Sequence, residues 1–257
     1  MAQTALHPTV RGPTFIRLLA RLAEADVAAP GQSLPDQLGQ WLDWNHALSL
    51  AAALDGQAAM PEAAAPMPDD LHAECARARE VLATAIEDDP LLAPGAPAPA
   101  EPGYDVFRQA CLARQRAMQA TVGRLRGKLR DALAQPVARP PQGRQDPQGP
   151  QVPRGPQGRH SRESGNDAGC AVPPDSRMAR LAEVDAVMEA ALTPREHALL
   201  AKVPELLGRR FERLRAAGHA SPTWLDGFRR DMRSVLLAEL DLRFQPVDAL
   251  LAALRIP

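Results

Sequence analysis

The chain has 257 residues, and its 30 basic and 31 acidic side chains give a formal net charge of −1. Its 48 alanines and 28 arginines favour helix, whereas only nine aromatic side chains are available to fill strands. The longest uncharged apolar stretch, residues 47–54, is far shorter than the roughly 20 residues of a membrane span, and no signal peptide is evident. The sequence therefore predicts an all-α protein that is soluble and cytoplasmic.

The charges are segregated along the chain although they nearly cancel. Residues 1–103 carry a net charge of −9, residues 104–177 carry +7, and residues 178–257 carry +1. An acidic first part beside a basic middle part can pair within one chain, between chains or with an outside partner.

Two proline-rich stretches divide the chain. The first contains five prolines, and the second contains nine prolines and six glycines with few large apolar side chains. The second buries too little apolar surface to offset the entropy of ordering it, so we expect disorder there. The predicted organisation is an acidic N-terminal helical region at 1–89, a Pro/Ala-rich spacer at 90–102, a long basic helix at 103–135, a disordered Pro/Gly-rich linker at 136–176 and a C-terminal helical bundle at 177–257.

Three helices are predicted before the basic helix. Two have apolar side chains on one face, namely 13–22 with Phe15, Leu18, Leu19 and Leu22, and 68–88 with Leu71, Cys75, Leu82 and Ile86. Between them, a cap at Ser33 opens a predicted helix that ends near Leu54. Trp41 and Trp44 are three residues apart in this helix, so we expect both to anchor its buried side.

The helix over residues 103–134 is predicted to be long, amphipathic and basic. Its apolar side chains recur at the spacing of one helical face: Phe107, Cys111, Met118, Val122, Leu125, Leu129 and Leu133. Its opposite face carries seven positive charges: Arg108, Arg114, Arg116, Arg124, Arg126, Lys128 and Arg130. We predict that these seven side chains form an interaction surface.

The C-terminal part predicts antiparallel helices joined by short turns. One helix is predicted over 176–191, a second opens with a capping box at Thr193, and two more begin at Ser221 and Pro246. Pro204 is expected to kink or restart the second helix, because proline lacks a backbone donor.

The sequence shows no constellation of catalytic or metal-binding residues. His72 and Cys75 share one helical face, but the second pair of ligands that a zinc site needs is missing. Cys111 lies on an apolar stripe, where a buried thiol is expected rather than a nucleophile. The glycine patterns of phosphate-binding loops do not occur. We therefore expect no enzyme activity, metal, cofactor or small-molecule ligand.

The basic helix allows three kinds of partner. Its charges can pair with acidic side chains of this chain or a partner protein, with nucleic-acid phosphates, or with an anionic membrane surface. The acidic segment 1–103 is available to cover the same face, and no aromatic side chains lie between the arginines to stack on bases. Pairing with protein is favoured, and nucleic-acid binding and peripheral membrane contact are the alternatives.

Three segments resemble a proteobacterial family of unknown function: 41–47 (WLDWNHA), 192–207 (LTPREHALLAKVPELL) and 210–214 (RFERL). The resemblance covers most of the chain outside the proline-rich stretches and includes no catalytic signature. Members of that family are often encoded near an envelope protein similar to the flagellar stator and OmpA-like families. The resemblance therefore implies an accessory role in a membrane-associated assembly.

Together these observations favour a non-enzymatic interaction or scaffold protein. It would bind a protein partner or self-associate, with residues 103–134 as the expected contact between copies. The alternative is a nucleic-acid-binding protein that acts through the basic helix at 108–130.

Overall fold

A computed structural model describes residues 14–23, 34–55, 68–95, 103–134, 174–217 and 223–255. Eight α-helices make up the regular structure of these residues. They are α1 (Thr14–Ala23), α2 (Leu34–Trp41), α3 (Trp44–Asp55), α4 (Pro68–Glu87), α5 (Tyr104–Ala134), α6 (Pro174–Leu200), α7 (Val203–Ala217) and α8 (Trp224–Ala253). Because these residues contain no strand, the predicted all-α class is confirmed. None of these eight helices has both the length and the apolar character of a membrane span.

The long helices α5 and α8 lie against each other at the centre of the fold. α4 and α7 each pack on both, α6 packs on α5, and α1 covers α7 and α8. A single hydrophobic core includes Met118 of α5, Phe211 of α7 and Met232 of α8. Helices from both sides of the predicted linker therefore contribute to the same core.

Five aromatic side chains meet where the beginnings of α5 and α8 contact α7. The ring of Phe228 stands edge-on to Phe107 and Phe211, with centroids 5.1 and 5.0 Å apart. Phe211 also contacts Trp224 at 5.2 Å and Tyr104 at 5.6 Å between centroids. This aromatic cluster joins three helices at one point, so its packing is expected to contribute strongly to stability.

The apolar faces predicted for three helices are the faces that the fold buries. The predicted stripe of α5 is buried, except that Val122 is half-buried, and the four predicted side chains of α4 are at most 9% exposed. In α1, Phe15 and Leu22 are buried. Periodicity predicts these faces because each helix contacts the core along most of its length.

The helix predicted from Ser33 to Leu54 is instead two helices, α2 and α3. The reason is Asp43, whose Oδ1 accepts a hydrogen bond from the backbone N–H of His46 at 2.8 Å and so caps the first turn of α3. This hydrogen bond lowers the pKa of Asp43 from its ordinary value. An aspartate within a long helix-favouring segment is a weak stop signal, so periodicity alone predicts continuity.

The prediction that Pro246 begins a separate helix is wrong, because Pro246 lies inside α8. Phe244 and Val247, on either side of the proline, are both buried in the core. An interior proline costs about 3 kcal/mol. We infer that the packing of these flanking side chains offsets this cost and keeps the helix continuous.

Thr193 does not open a helix either, because α6 continues through Pro194 to Leu200. Side chains before and after this proline bind other helices: Glu189 pairs with α5, and Glu196 pairs with α8. Pro204 lies in the first turn of α7, where the backbone N–H that proline lacks has no partner within the helix. A restart of the helix was one of the two effects predicted for Pro204, and α7 begins there.

The beginning of the predicted spacer is folded onto α8. Leu92 is buried, Arg229 Nε donates to the carbonyl of Leu91 at 3.1 Å, and Gly95 donates its backbone N–H to Asp226 at 3.0 Å. Gly95 has a φ of 68°, which favours glycine. The rest of the spacer, residues 136–173 of the predicted linker, and Ser221 lie outside the described residues.

Candidate interaction surfaces

The basic face of α5 is partly covered by α6. Arg126 contacts Asp185 at 2.6 Å and Glu189 at 3.3 Å, and Arg130 contacts Asp185 at 3.1 Å and also pairs with Glu189. Burial lowers the pKa of Arg130, but its hydrogen bonds to the two carboxylates outweigh burial and raise it. Arg126 is 9% exposed. These four side chains form a shielded group that we call the α5–α6 ion-pair cluster.

Three further basic side chains of α5 pair with α4 and the turn that follows it. Arg124 and Lys128 each lie 2.8 Å from Glu74, and Arg114 lies 2.8 Å from Asp89. The hydrogen bond from Lys128, supported by Arg124, lowers the pKa of Glu74. These pairs cover a second side of the basic helix.

Five of the seven predicted surface residues are therefore paired with carboxylates of the same chain. Arg108 and Arg116 are exposed and have no acidic partner among the described residues. Glu74 and Asp89 precede the predicted linker, and Asp185 and Glu189 follow it. The charge segregation of the sequence indicated only the acidic partners that precede the linker. The apolar stripe of α5 lies inside the core, which removes the predicted basis for self-association through residues 103–134.

The shielding of the α5–α6 ion-pair cluster predicts strong coupling between Arg126 and Asp185. In a double-mutant cycle with Arg126→Met and Asp185→Asn, we expect a coupling energy of about 1–3 kcal/mol in urea unfolding. The matched control is Arg124 with Glu74, where the arginine is 54% exposed and coupling below about 1 kcal/mol is expected. Equal coupling in the two cycles would contradict the shielding.

A second polar cluster is buried between α5, α6 and α8. Glu239 is fully buried and accepts hydrogen bonds from Gln115 Nε2 and Arg243 Nε, both at 2.9 Å. Gln115 also donates to the carbonyl of Leu200 at 3.2 Å, and Arg243 donates to Glu196 at 3.1 Å. Burial raises the pKa of Glu239, although Arg243 and Gln115 oppose this effect. The cluster holds the end of α6 against the two central helices.

Sequence reasoning missed this buried polar cluster. Gln115 and Glu239 are 124 residues apart, and each lies on the buried face of its helix. The one available signal is a polar residue at a position that helical periodicity assigns to the buried face.

The two described cysteines, Cys75 and Cys111, are free and buried. Burial raises the pKa of the Cys75 thiol and raises that of Cys111 to about 12, so both are protonated at neutral pH. The prediction that Cys111 is a core thiol is confirmed. In the described ranges, no three His, Cys, Asp or Glu side chains are placed to bind a metal ion.

Exposed apolar side chains are concentrated on α3 and α6, which pack against each other. The described residues include eight exposed large hydrophobic side chains, and five of them lie on these two helices: Trp44, Leu48, Leu54, Leu181 and Leu199. We call these five the α3–α6 apolar surface. Single exposed apolar side chains are common in proteins, whereas contiguous patches of them mark partner-binding sites. These five lie on two packed helices, with Leu181 and Leu199 at opposite ends of α6.

Trp44 is 76% exposed, so the prediction that two tryptophans anchor a core is wrong. Trp41 is half-buried, and the guanidinium of Arg195 lies 5.6 Å from its ring centroid. Because α2 ends at Trp41, a spacing of three residues no longer places the two rings on one helical face. Trp224, the first residue of α8, packs against the core.

A groove of about 780 Å³ lies between the beginnings of α5 and α7. Three arginines and two glutamates line it, so positive side chains outnumber negative ones by one: Arg108, Arg209, Arg213, Glu205 and Glu212. A Cβ added at Gly208 would lie 2.9 Å from the Tyr104 ring, which explains why glycine lets the helices approach here. The described residues that line the groove include no Ser, Thr, Cys or His.

A comparison with curated proteins and with solved structures gave no match. The sequence model of one family, protein of unknown function (DUF3348), matches residues 1–140 and 170–256. These ranges include every residue that the structure describes, and the unmatched stretch, 141–169, falls within the predicted linker. The predicted resemblance to a family of unknown function is thus confirmed. The chain belongs to the family described as protein of unknown function (DUF3348).

Proposed function

We propose that this protein is a non-enzymatic helical interaction protein that binds a protein partner through the α3–α6 apolar surface. The observation that supports the proposal is that two packed helices carry five of the eight exposed large apolar side chains of the described residues. Trp44 and Leu199 are 76% and 61% exposed. Burying such side chains against a partner removes apolar surface from water, which drives most protein association.

The chemistry of the surface indicates the kind of partner. α3 carries no charged side chain other than the aspartate at its last position. An apolar, largely uncharged protein surface fits the α3 part of this face, because a charged one would lose its hydration there without gaining a counter-charge. The resemblance to a proteobacterial family implies that this binding serves an accessory role in a membrane-associated assembly.

Nucleic-acid binding through α5 is the second candidate function. Arg108 and Arg116 favour it because both are exposed without a described acidic partner. The other five basic side chains of α5 already pair with carboxylates of this chain, and nucleic-acid phosphates would have to displace those carboxylates. Their pairing therefore counts against nucleic-acid binding. If α5 binds nucleic acid, affinity must fall steeply with salt, and Arg108→Glu with Arg116→Glu must weaken it.

Photo-cross-linking in cells tests the proposal. A photo-reactive residue at Leu199 is expected to form adducts with a protein partner that resist nuclease treatment. Adding Trp44→Glu should lower the adduct yield about tenfold, because it removes a central apolar contact. The matched control places the same photo-reactive residue at Val81, which is 67% exposed on α4. Equal adduct yields from both positions, or adducts that nuclease removes, would contradict protein binding at this surface.

A further inference from the structure

α6 buries few side chains for a helix of 27 residues. Four of the side chains described at 177–200 are buried, and three of these are alanines: Ala179, Ala182, Ala191 and Leu200. α8, with 30 residues, buries fifteen side chains. Removal of apolar surface from water therefore contributes much less to holding α6 in place than to holding α8.

Charged groups supply much of the attachment of α6. Asp185 and Glu189, which are one helical turn apart, link it to α5 in the α5–α6 ion-pair cluster. Glu196 pairs with Arg243 of α8 at 3.1 Å. The net free energy of such pairs is small, because water hydrates the charges once they separate.

Pro204 interrupts the backbone hydrogen bonding where α6 meets α7. In a continuous helix the carbonyl of Leu200 would accept a hydrogen bond from the backbone N–H of residue 204, but proline has none. Gln115 of α5 donates to this carbonyl instead, from Nε2 at 3.2 Å. The two helices are joined by residues 201 and 202, so a side chain from α5 holds the backbone beside this junction.

We propose that α6 is a hinged cover that opens from α5 about residues 201–202 while α1, α4, α5, α7 and α8 stay packed. The buried polar cluster is its latch, because Gln115 and Arg243 hold Leu200 and Glu196 near the hinge. α3 packs on α6 and buries one side chain, Ala53, so it moves with the cover. Opening requires no partner and so goes beyond the proposed function.

Opening leaves the remaining core intact. The largest fully buried side chains of the described residues lie on α4 and the turn after it, α5, α7 and α8. Glu239 keeps both of its donors, because Gln115 belongs to α5 and Arg243 to α8. The open state therefore costs less free energy than global unfolding.

Opening uncovers part of the basic face of α5. In the closed state Arg126 is 9% exposed, and both Arg126 and Arg130 are held by carboxylates of α6. An anion that binds these two guanidinium groups must first displace those carboxylates. α6 is thus an autoinhibitory contact on this part of the basic face.

Native-state hydrogen exchange of the full chain in low urea, read by mass spectrometry, tests the hinged cover. Amides of residues 183–192 in α6 are expected to exchange about 100-fold faster than those of 232–243 in α8. Their rates should also depend less on urea, because opening exposes less surface than unfolding. Equal rates and equal urea dependence in α6 and α8 would overturn the inference.

α4 is the matched control helix, because it also packs on α5 and carries an ion-paired glutamate, Glu74. It differs from α6 in burying larger side chains: Leu71, Cys75, Leu82 and Ile86. Amides of residues 75–84 are therefore expected to exchange at rates close to those of α8.

Two substitutions separate opening from global unfolding. Phe228→Leu weakens packing that the open state retains, so exchange should become about tenfold faster in α8 and stay unchanged in α6. Asp185→Asn weakens an ion pair that the open and unfolded states both lack, so exchange should become about tenfold faster in both helices. Exchange in α6 that accelerates with Phe228→Leu, or that does not respond to Asp185→Asn, would overturn the inference.

Discussion

Replacement of Arg243 by methionine is expected to lower the free energy of unfolding by about 3–5 kcal/mol at neutral pH. Arg243 is the counter-charge of Glu239, which is fully buried, and its removal leaves Gln115 as the described donor to that carboxylate. The long side chain of methionine limits the cavity, so the loss reports the unpaired charge. Urea unfolding measures it, and Arg209→Met on the exposed face of α7 should change stability by less than about 0.5 kcal/mol.

The pH dependence of this variant distinguishes a buried charge from a packing defect. Burial raises the pKa of Glu239, so folding favours the protonated form of this side chain. The stability that protonated Glu239 contributes is fully present below the ordinary glutamate pKa, and it is lost as pH rises through the raised value. Arg243 opposes that rise, so in its absence the pKa rises further. The stability deficit of Arg243→Met should therefore shrink as the solution is acidified, and adding Glu239→Gln should restore most of it. A deficit that is constant with pH would contradict this explanation.

Phe228→Ala is expected to cost about 3–5 kcal/mol of the free energy of unfolding. Phe228 is fully buried and its ring contacts Tyr104, Phe107 and Phe211, so its removal opens a cavity where three helices meet. These helices lie on both sides of the predicted linker, so the whole protein should unfold at lower denaturant concentration in one transition.

Phe228→Leu provides the matched comparison, because it keeps most of the buried volume and should cost less than half as much. Val106→Ala removes a side chain that is 60% exposed on α5 and should be nearly neutral. If Phe228→Ala cost no more than Val106→Ala, the aromatic cluster would not contribute to the core as the structure indicates.

The polar clusters also bear on the proposed interaction surface. Among the described residues, α6 contributes Ala182 and Leu200 to the main core and packs Met178 against it. Ion pairs and hydrogen bonds add further links from α6 to α5 and α8. α3 packs on α6, so the α3–α6 apolar surface depends on the position of α6. Loss of Arg243 is therefore expected to disturb partner binding as well as stability.

Several features of the fold follow from the sequence alone. The buried faces of α4 and α5 were predictable because apolar residues recur at the helical period along helices that face the core throughout. Local signals were less reliable. Asp43, Pro194 and Pro246 each resemble residues that start or stop a helix, and only the contacts on either side decide whether the backbone is interrupted.

The candidate surfaces were decided by the tertiary structure. The sequence determined that α5 is basic on one face, but the structure supplied Asp185 and Glu189 from beyond the linker to neutralise it. Likewise, the sequence determined that residues 44–54 are mostly apolar, but the structure left Trp44 and Leu48 in solvent. Periodicity identifies which face of a helix is apolar or charged. Which distant helix covers that face depends on how all the helices pack, and no local pattern encodes it.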